Sequence, residues 1–324
     1  MKSISKLLAL LLVILLVIPA QALEQGTEFL LADPLAQEAE GEESGIAPIN
    51  AEPLQHPSKE AIAAQWATVT DATSTYATRP TVKAPYAAGA LTDDFLESGI
   101  TYMNYVRFVA GLPDVVLDPT FNTDAQHGAV VLAAIDELTH YPLRPADMDS
   151  AFFKRGYDAT TSSNISARYG YRDQTIMLQS SVEGCMNDNN SLGNLSSVGH
   201  RRWVLNPTLG KVGFGYAQSE TNWSYIVTKV FDRSGPGCEF NYISWPAAGN
   251  HPTNLFDGQN PWSVTLNTSV YKTASAKNIQ ITLTRESDGK QWTFDKSTGE
   301  PNIDGSGKIK PYMTVENSWY GLPN

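Results

Sequence analysis

From Phe95 onward the chain sets apolar residues at helical spacing: Phe95, Gly99, Tyr102, Met103, Val106 and Ala110. Intervals of three and four gather them on one stripe of a helix. Thr92 precedes the run as an N-cap, Asp93, Asp94 and Glu97 follow in or near its first turn, and Gly111-Leu112-Pro113 ends it. A short apolar link, Val115-Val116-Leu117, leads to Asp118-Pro119, a second N-cap with proline at the first helical position. Phe121, Ala125, Ala129, Leu132 and Ile135 make that helix's buried stripe, and it stops near Leu138. Pro145 to Gly156 predicts a third, shorter helix, Ser163 to Tyr169 a strand, and Gln174 to Met186 a fourth helix. After a polar loop, Asn187 to Gly199, the stretch His200 to Leu205 predicts a helical turn. Lys211 to Ala217 and Trp223 to Phe231 predict two strands joined by a polar hairpin. Helices on both faces of a small antiparallel sheet satisfy this order.

The texture changes near Phe240. Trp262 to Leu266 alternates apolar and polar, as do Ile279 to Thr284 and Gln291 to Phe294, which flank the hairpin signal Asp288-Gly289. Tyr312 to Val315 is a further strand candidate. This tail predicts a small all-β unit, an immunoglobulin-like sandwich short of some of the usual seven strands.

The N-terminal pattern is different again. Lys2 and Lys6 precede an unbroken apolar run, Leu7 to Ile18, and Ala20-Gln21-Ala22 offers a small-x-small cleavage site. This is the pattern of a secretory signal peptide, so residues 1–22 are expected to be removed on export. The run is too short to span a bilayer, and no later segment is apolar and long enough to do so. Between Glu24 and Glu60 stand nine acidic residues and one basic one, Lys59, with four prolines. Such a stretch buries too little apolar surface to fold alone, so Leu23 to about Gly89 is expected to be a disordered or loosely attached leader, with a helix possible near Glu60 to Thr68. The resulting division is 1–22 signal peptide, 23–90 acidic leader, 91–236 α/β domain and 237–324 β-sandwich-like domain.

The whole chain carries a formal charge of −11, which argues against nucleic acid or anionic lipid as partners. Two cysteines, Cys185 and Cys238, are too few for a disulfide framework; Cys185 reads as a buried thiol, and a bridge between the two is left open.

Three segments carry a resemblance. Asn104-Tyr-Val-Arg107-Phe-Val-Ala-Gly111-Leu112-Pro113 is similar to the segment closing the first helix of CAP-superfamily domains (cysteine-rich secretory, antigen 5, pathogenesis-related 1). Thr139-His140-Tyr141-Pro142 resembles the loop with their first cavity histidine. Gly199-His200-Arg201-Arg202, followed by Gly213-Phe214-Gly215, resembles the bacterial form of the segment with their second. The resemblance implies an α-β-α sandwich and a central cavity with two histidines and two acidic residues. His140 and His200 match the histidines. Asp188 falls at one acidic position, with Glu183 as the fallback, while Ser163, before Asn164-Ile165, replaces the other acid.

Two imidazoles and one carboxylate are a donor set that takes zinc or another divalent cation with water as the fourth ligand, so His140, His200 and Asp188 are the metal candidates. The alternative is a pair of neutral histidines holding loops together. Ser163, Asn164 and Glu183 are the further cavity-lining candidates. Asn104 and Arg107, three residues apart on the first helix, are expected to tie it to neighbouring loops. The glycines of Gly213-Phe214-Gly215 are expected to permit close packing beneath the cavity. His127, off the main stripe, reads as a packing or surface residue, and Arg201 and Arg202 as structurally paired or solvated.

What the resemblance implies about function is a secreted ligand-binding or interaction module, with lipids, glycans and proteins as ligand classes. The alternative is an extracellular hydrolase using His140, His200 and Asp188, zinc-dependent or histidine-assisted. The chain contains neither a G-x-S-x-G elbow nor an H-E-x-x-H helix, which leaves the enzyme reading the weaker of the two.

Overall fold

The computed structural model describes residues 29–31, 54–170, 173–189, 198–256, 260–267, 270, 281–294 and 313–316. The segment expected to be a signal peptide, Met1 to Ala22, lies outside them. Twelve strands and six α-helices occur among these residues. The first helix of the α/β domain, α2 (Asp93–Val109), starts at Thr92, whose side chain accepts from the Phe95 N–H. The next, α3 (Pro119–Ile135), starts at Asp118, which accepts from the N–H groups of Thr120 and Phe121. Both caps are local and both stand where the sequence places them.

A five-stranded sheet forms the middle layer, in the order β1 (Phe29–Leu31), β5 (Asn164–Tyr169), β7 (Trp223–Lys229), β6 (Lys211–Gln218), β4 (Val116–Leu117). All its pairs are antiparallel except β4 with β6. Successive side chains of a strand face opposite ways. Phe214, Tyr216 and Ile226 therefore join one core, with α2 and α5 (Met177–Asn187). Ile165, Ala217, Tyr225 and Val227 join a second core, with α3. The α-β-α layering expected from the element order is observed.

The contact of α3 with β6 is a backbone contact. A Cβ on Gly215 would lie 2.1 Å from the Ala125 carbonyl carbon and oxygen, and one on Gly213 2.3 Å from the Phe121 carbonyl carbon. Beyond the short β4, side chains of α3 take over the edge of β6. Asn122 Oδ1 accepts from the Phe214 N–H at 2.9 Å, and Gln126 both accepts from the Tyr216 N–H and donates to the Tyr216 carbonyl. The edge is thereby covered rather than left as a template for other chains.

Three expectations are corrected. The third helix, α4 (Ser150–Thr160), begins at Asp149 and runs through Gly156 instead of ending there. Gly156 is needed for contact: a Cβ would lie 2.5 Å from Val131 Cγ2 and 2.8 Å from the His127 carbonyl of α3. The leader is docked from Leu54 onward. Helix α1 (Lys59–Trp66) buries Ile62 in the main core, Trp66 lies against Tyr102 and Tyr105, and the Tyr76 ring in β2 (Tyr76–Thr78) stacks on Tyr216 at 5.5 Å. Strand β2 is zipped to β3 (Ala90–Leu91). Thirdly, the core does not stop at the expected boundary, residue 236: Phe240, Ile243, Trp245 and Leu255 belong to it.

The C-terminal part is a small β unit. Strand β9 (Trp262–Leu266) lies between β8 (Tyr242–Trp245), antiparallel, and β12 (Met313–Glu316), parallel. A separate hairpin, β10 (Ile281–Thr284) with β11 (Gln291–Phe294), turns at Asp288-Gly289. Strand β8 was not foreseen. Among the described residues these strands form one three-stranded sheet and one hairpin.

Candidate functional site

The site is assembled from helix ends and the start of β5. Helix α3 closes at Asp136, left-handed at φ 54°, whose carboxylate accepts from the Thr221 hydroxyl at 2.5 Å and the Tyr225 hydroxyl at 3.1 Å. These bonds fix the departure of the chain toward His140. His140 is 5% exposed, and its Nδ1 lies 2.6 Å from the Thr160 carbonyl at the end of α4. A carbonyl only accepts, so Nδ1 carries a proton. The Thr160 hydroxyl donates back to the His140 carbonyl at 3.1 Å. The reciprocal pair locks both ring and backbone.

His200 is in the short helix α6 (Gly199–Val204), and Asp188 is the C-cap of α5, left-handed at φ 46°. Aspartate is one of the few side chains that tolerate this conformation. Both groups are fully buried. Asp188 Oδ1 accepts from His200 Nδ1 at 2.9 Å, and Oδ2 accepts from the backbone N–H groups of His200 at 3.0 Å and Arg201 at 3.3 Å. Both carboxylate oxygens are thus spent on orienting His200 and the start of its helix. Immediately before it, Val198 is fully buried at φ 42°, ψ 45°. A β-branched residue there carries strain on the order of 1–3 kcal/mol, which persists only where surrounding contacts over-determine it.

Strand β5 ties the two histidines together. Asn164 Nδ2 donates to the His200 carbonyl at 3.1 Å. Thr160 holds the His140 ring and Asn164 the His200 backbone, so both residues are fastened to one stretch, Thr160 to Asn164. Four residues of fully extended chain reach at most about 14 Å. Ser163, on this stretch, is 1% exposed, and its Oγ makes no hydrogen bond among the described residues. Glu183 is exposed, so Asp188 and not the fallback takes the buried acidic position.

Among the described residues no group of three or more His, Cys, Asp or Glu side chains is placed to hold a metal ion. The reason is the commitment of Asp188: its oxygens face the Nδ1 side of His200 and two backbone N–H groups, which is the position of an orienting carboxylate behind a ligand and not of a ligand.

Buried arginines hold the frame. Arg107 donates from Nε to the Pro113 carbonyl at 2.9 Å and from Nη1 to the carbonyls of Val204 and Asn206 at 2.7 and 2.9 Å. Burial lowers its pKa to about 10. Asn104 exchanges two hydrogen bonds with the Val115 backbone, so both residues tie the helix to loops as expected. Arg201 is structural too: it donates to the carbonyls of Met186, Asn187 and Pro261 and to the Ser263 hydroxyl. Asn260 adds bonds to Asn187 and Asn189, at 2.8 Å each. The β9 end of the C-terminal unit therefore abuts the loop that holds Asp188. Neither Thr160 nor Asn260 was singled out from sequence; Thr160 acts on the His140 ring through its carbonyl, which a side-chain pattern does not mark.

His127 packs on Phe152, ring centroids 4.6 Å apart, and bonds the Thr123 carbonyl within its own helix. Both thiols are free: Cys185 fully buried beside Asn164, Cys238 half-buried. No described helix is long and apolar enough to cross a membrane.

Residues 100–231 match the model of the Cysteine-rich secretory protein family, CAP. No curated protein matches the chain significantly.

Proposed function

Because the chain carries a CAP-family domain, we propose that it acts outside the cell as a ligand-binding or interaction module whose working surface surrounds the histidine site. CAP-family proteins are typically extracellular, and the lysine-flanked apolar run before Ala22 supplies an export signal. The observation that carries the reading is the loop following His140. The histidine is buried and locked from beneath, yet Tyr141 and Leu143 beside it are 63% and 84% exposed. A rigidly seated loop that offers two large apolar side chains to solvent is suited to contact with a lipid, glycan or protein surface. The C-terminal strands, read as an immunoglobulin-like sandwich unit, serve as a spacer abutting the Asp188 loop. The residues present do not fit a three-ligand zinc centre, so no metal step enters this reading.

The test is expression from the chain's own leader, followed by saturation-transfer NMR of the secreted product. Phospholipid micelles, soluble oligosaccharides and peptides serve as the three probes. Product in the medium beginning after Ala22, and one probe class whose signal is lost in the Tyr141→Ser/Leu143→Ser double variant, are the expected results. Retention inside the cell, or equal signals from wild type and variant, overturns the proposal.

A second reading, a histidine-assisted hydrolase, is favoured by one observation: a buried carboxylate orients the His200 ring as a general base requires. Turnover of a peptide or ester substrate that disappears in His200→Gln would establish it.

A further inference from the structure

A second site lies at the other end of α5. A cleft of about 430 Å³ is lined on one side by Ser74, Tyr76 and Arg79 and on the other by Asp173, Gln174 and Thr175. Asp188 caps the C-terminus of α5, while Asp173 to Ile176 form the turn that leads into its N-terminus. Eleven helical residues, about 16 Å, separate this cleft from the histidine site. One wall comes from the segment before Ile100, outside the family match.

Both walls are rigid. On the first, the Thr73 N–H and hydroxyl both donate to Asp94 at 2.7 Å, the Thr92 hydroxyl donates to the Ser74 carbonyl at 2.6 Å, and Tyr76 is stacked on Tyr216. The Arg79 guanidinium rests over the Tyr76 ring, 5.0 Å from its centroid. On the second wall, Asp173 Oδ1 accepts from the Thr175 N–H at 3.0 Å and from its hydroxyl, and Gln174 donates to Gln218 at 2.8 Å.

The chemistry of the cleft is unfinished. Among the described residues Arg79 makes no ion pair and no hydrogen bond, and Asp173 Oδ2 accepts none. Opposite charges line one cleft, each anchored to its own wall, and they do not bridge to each other. The Tyr76 hydroxyl is turned inward, toward the Tyr216 hydroxyl and the Gln218 backbone, so Tyr76 offers the cleft its ring and the Arg79 seat and not its hydroxyl. A ligand that carries both charges would engage Arg79 and Asp173 Oδ2 together. An anion alone would face the Asp173 carboxylate and the −11 charge of the chain; a cation alone would face Arg79. The volume sits at the lower end of the ~300–1,000 Å³ of small-molecule pockets.

We infer that this cleft binds a small zwitterion, a free α-amino acid with a short polar side chain. Its carboxylate is taken by the Arg79 fork, which matches a carboxylate two bonds at a time, and its ammonium by Asp173 Oδ2 with Gln174 Oε1 beside it.

The test is a two-dimensional NMR titration of the purified protein with L-serine, and with sodium acetate and ethylamine as single-charge controls. L-serine is expected to give saturable shifts at the Thr75, Gln174 and Thr175 amides, with neither control doing so at the same concentration. Arg79→Ala and Asp173→Asn are each expected to weaken binding at least tenfold. Asparagine caps a helical turn as well as aspartate, so the second variant removes charge without removing the cap. Arg79→Lys keeps the charge, loses the fork, and is expected to bind between wild type and Arg79→Ala. The proposal is overturned by an absence of saturable shifts, by acetate or ethylamine binding as tightly as L-serine, or by unchanged affinity in either neutralised variant.

Discussion

Asp188 holds His200 twice, through its ring and through its backbone: Oδ1 meets Nδ1 at 2.9 Å and Oδ2 meets the peptide N–H at 3.0 Å, both groups fully buried. The same carboxylate acts on the Arg201 guanidinium: burial lowers its pKa to about 10, with the Asp188 charge opposing that fall. Replacing Asp188 with asparagine keeps the shape and the left-handed backbone, since asparagine also tolerates that region. It removes the charge and leaves the buried guanidinium uncompensated. Asparagine also turns an amide donor toward one of the N–H groups that Asp188 accepts from, and a buried group left unsatisfied costs about 1–3 kcal/mol, so urea unfolding of Asp188→Asn is expected to show a drop of about 2–3 kcal/mol. A change under 1 kcal/mol would mean that the carbonyls around Arg201 compensate it without Asp188.

The layering rests on a second close relationship, Gly215 against Ala125. A methyl on Gly215 would lie 2.1 Å from main-chain atoms of α3, which have no rotamer by which to move away. Gly215→Ala is expected to lose several kcal/mol, beyond the ~1–3 kcal/mol of ordinary overpacking, and to give little folded protein. Gly170→Ala is the matched control: φ is +67° but nothing lies within 4 Å of the added methyl, so only the backbone cost of roughly 1 kcal/mol remains. Comparable melting temperatures for the two variants would refute the close-packing argument.

Much of this was legible in sequence because it is local. Thr92 and Asp118 cap within three residues of themselves, the Asn104 and Arg107 spacing puts both on one helix, and the acidic position that the family resemblance implies at the end of α5 falls by register on Asp188. What was not legible depends on distant chain. Gly156 reads as a stop until α3 is seen against it. Ile62, Trp66 and Tyr76 are too thinly spread in a polar stretch to predict docking, yet each meets a partner supplied by α2 or β6. Arg201 reads as structurally paired or solvated, but the sequence does not name its acceptors, which include a carbonyl and a hydroxyl about sixty positions further on.

The two thiols give a direct check on burial. Cys185 is 1% exposed, and burial next to Asp188 pushes its thiol well above the usual range. Cys238 is half-buried and is pushed up to about 11. The thiolate is the reactive form. Native protein at pH 8 is therefore expected to react slowly with an aromatic disulfide reagent at Cys238 alone, with Cys185 reacting only after denaturation. Rapid labelling of both would contradict the core placement of α5.

His251 supplies the pH dependence. It lies beneath Trp245, ring centroids 4.6 Å apart, and its Nδ1 accepts from the Ala247 N–H at 3.1 Å. That acceptor is lost on protonation. Burial, with a smaller contribution from the Arg201 charge, lowers the pKa from 6.5 to about 4. The unfolded chain therefore binds more protons than the folded one between about pH 6.5 and pH 4. Stability rises with pH across that window: the contribution is fully present above 6.5 and is lost as pH falls toward 4. The full shift would be worth about 3 kcal/mol, and partial exposure of the ring reduces the expected loss to about 1–2 kcal/mol. Comparing wild type with His251→Gln isolates this group from the other titrating residues, since glutamine retains an acceptor but takes up no proton. Denaturant midpoints of the two proteins are expected to converge on lowering the pH from 7 to 4. Parallel curves across the range would place the acid sensitivity elsewhere.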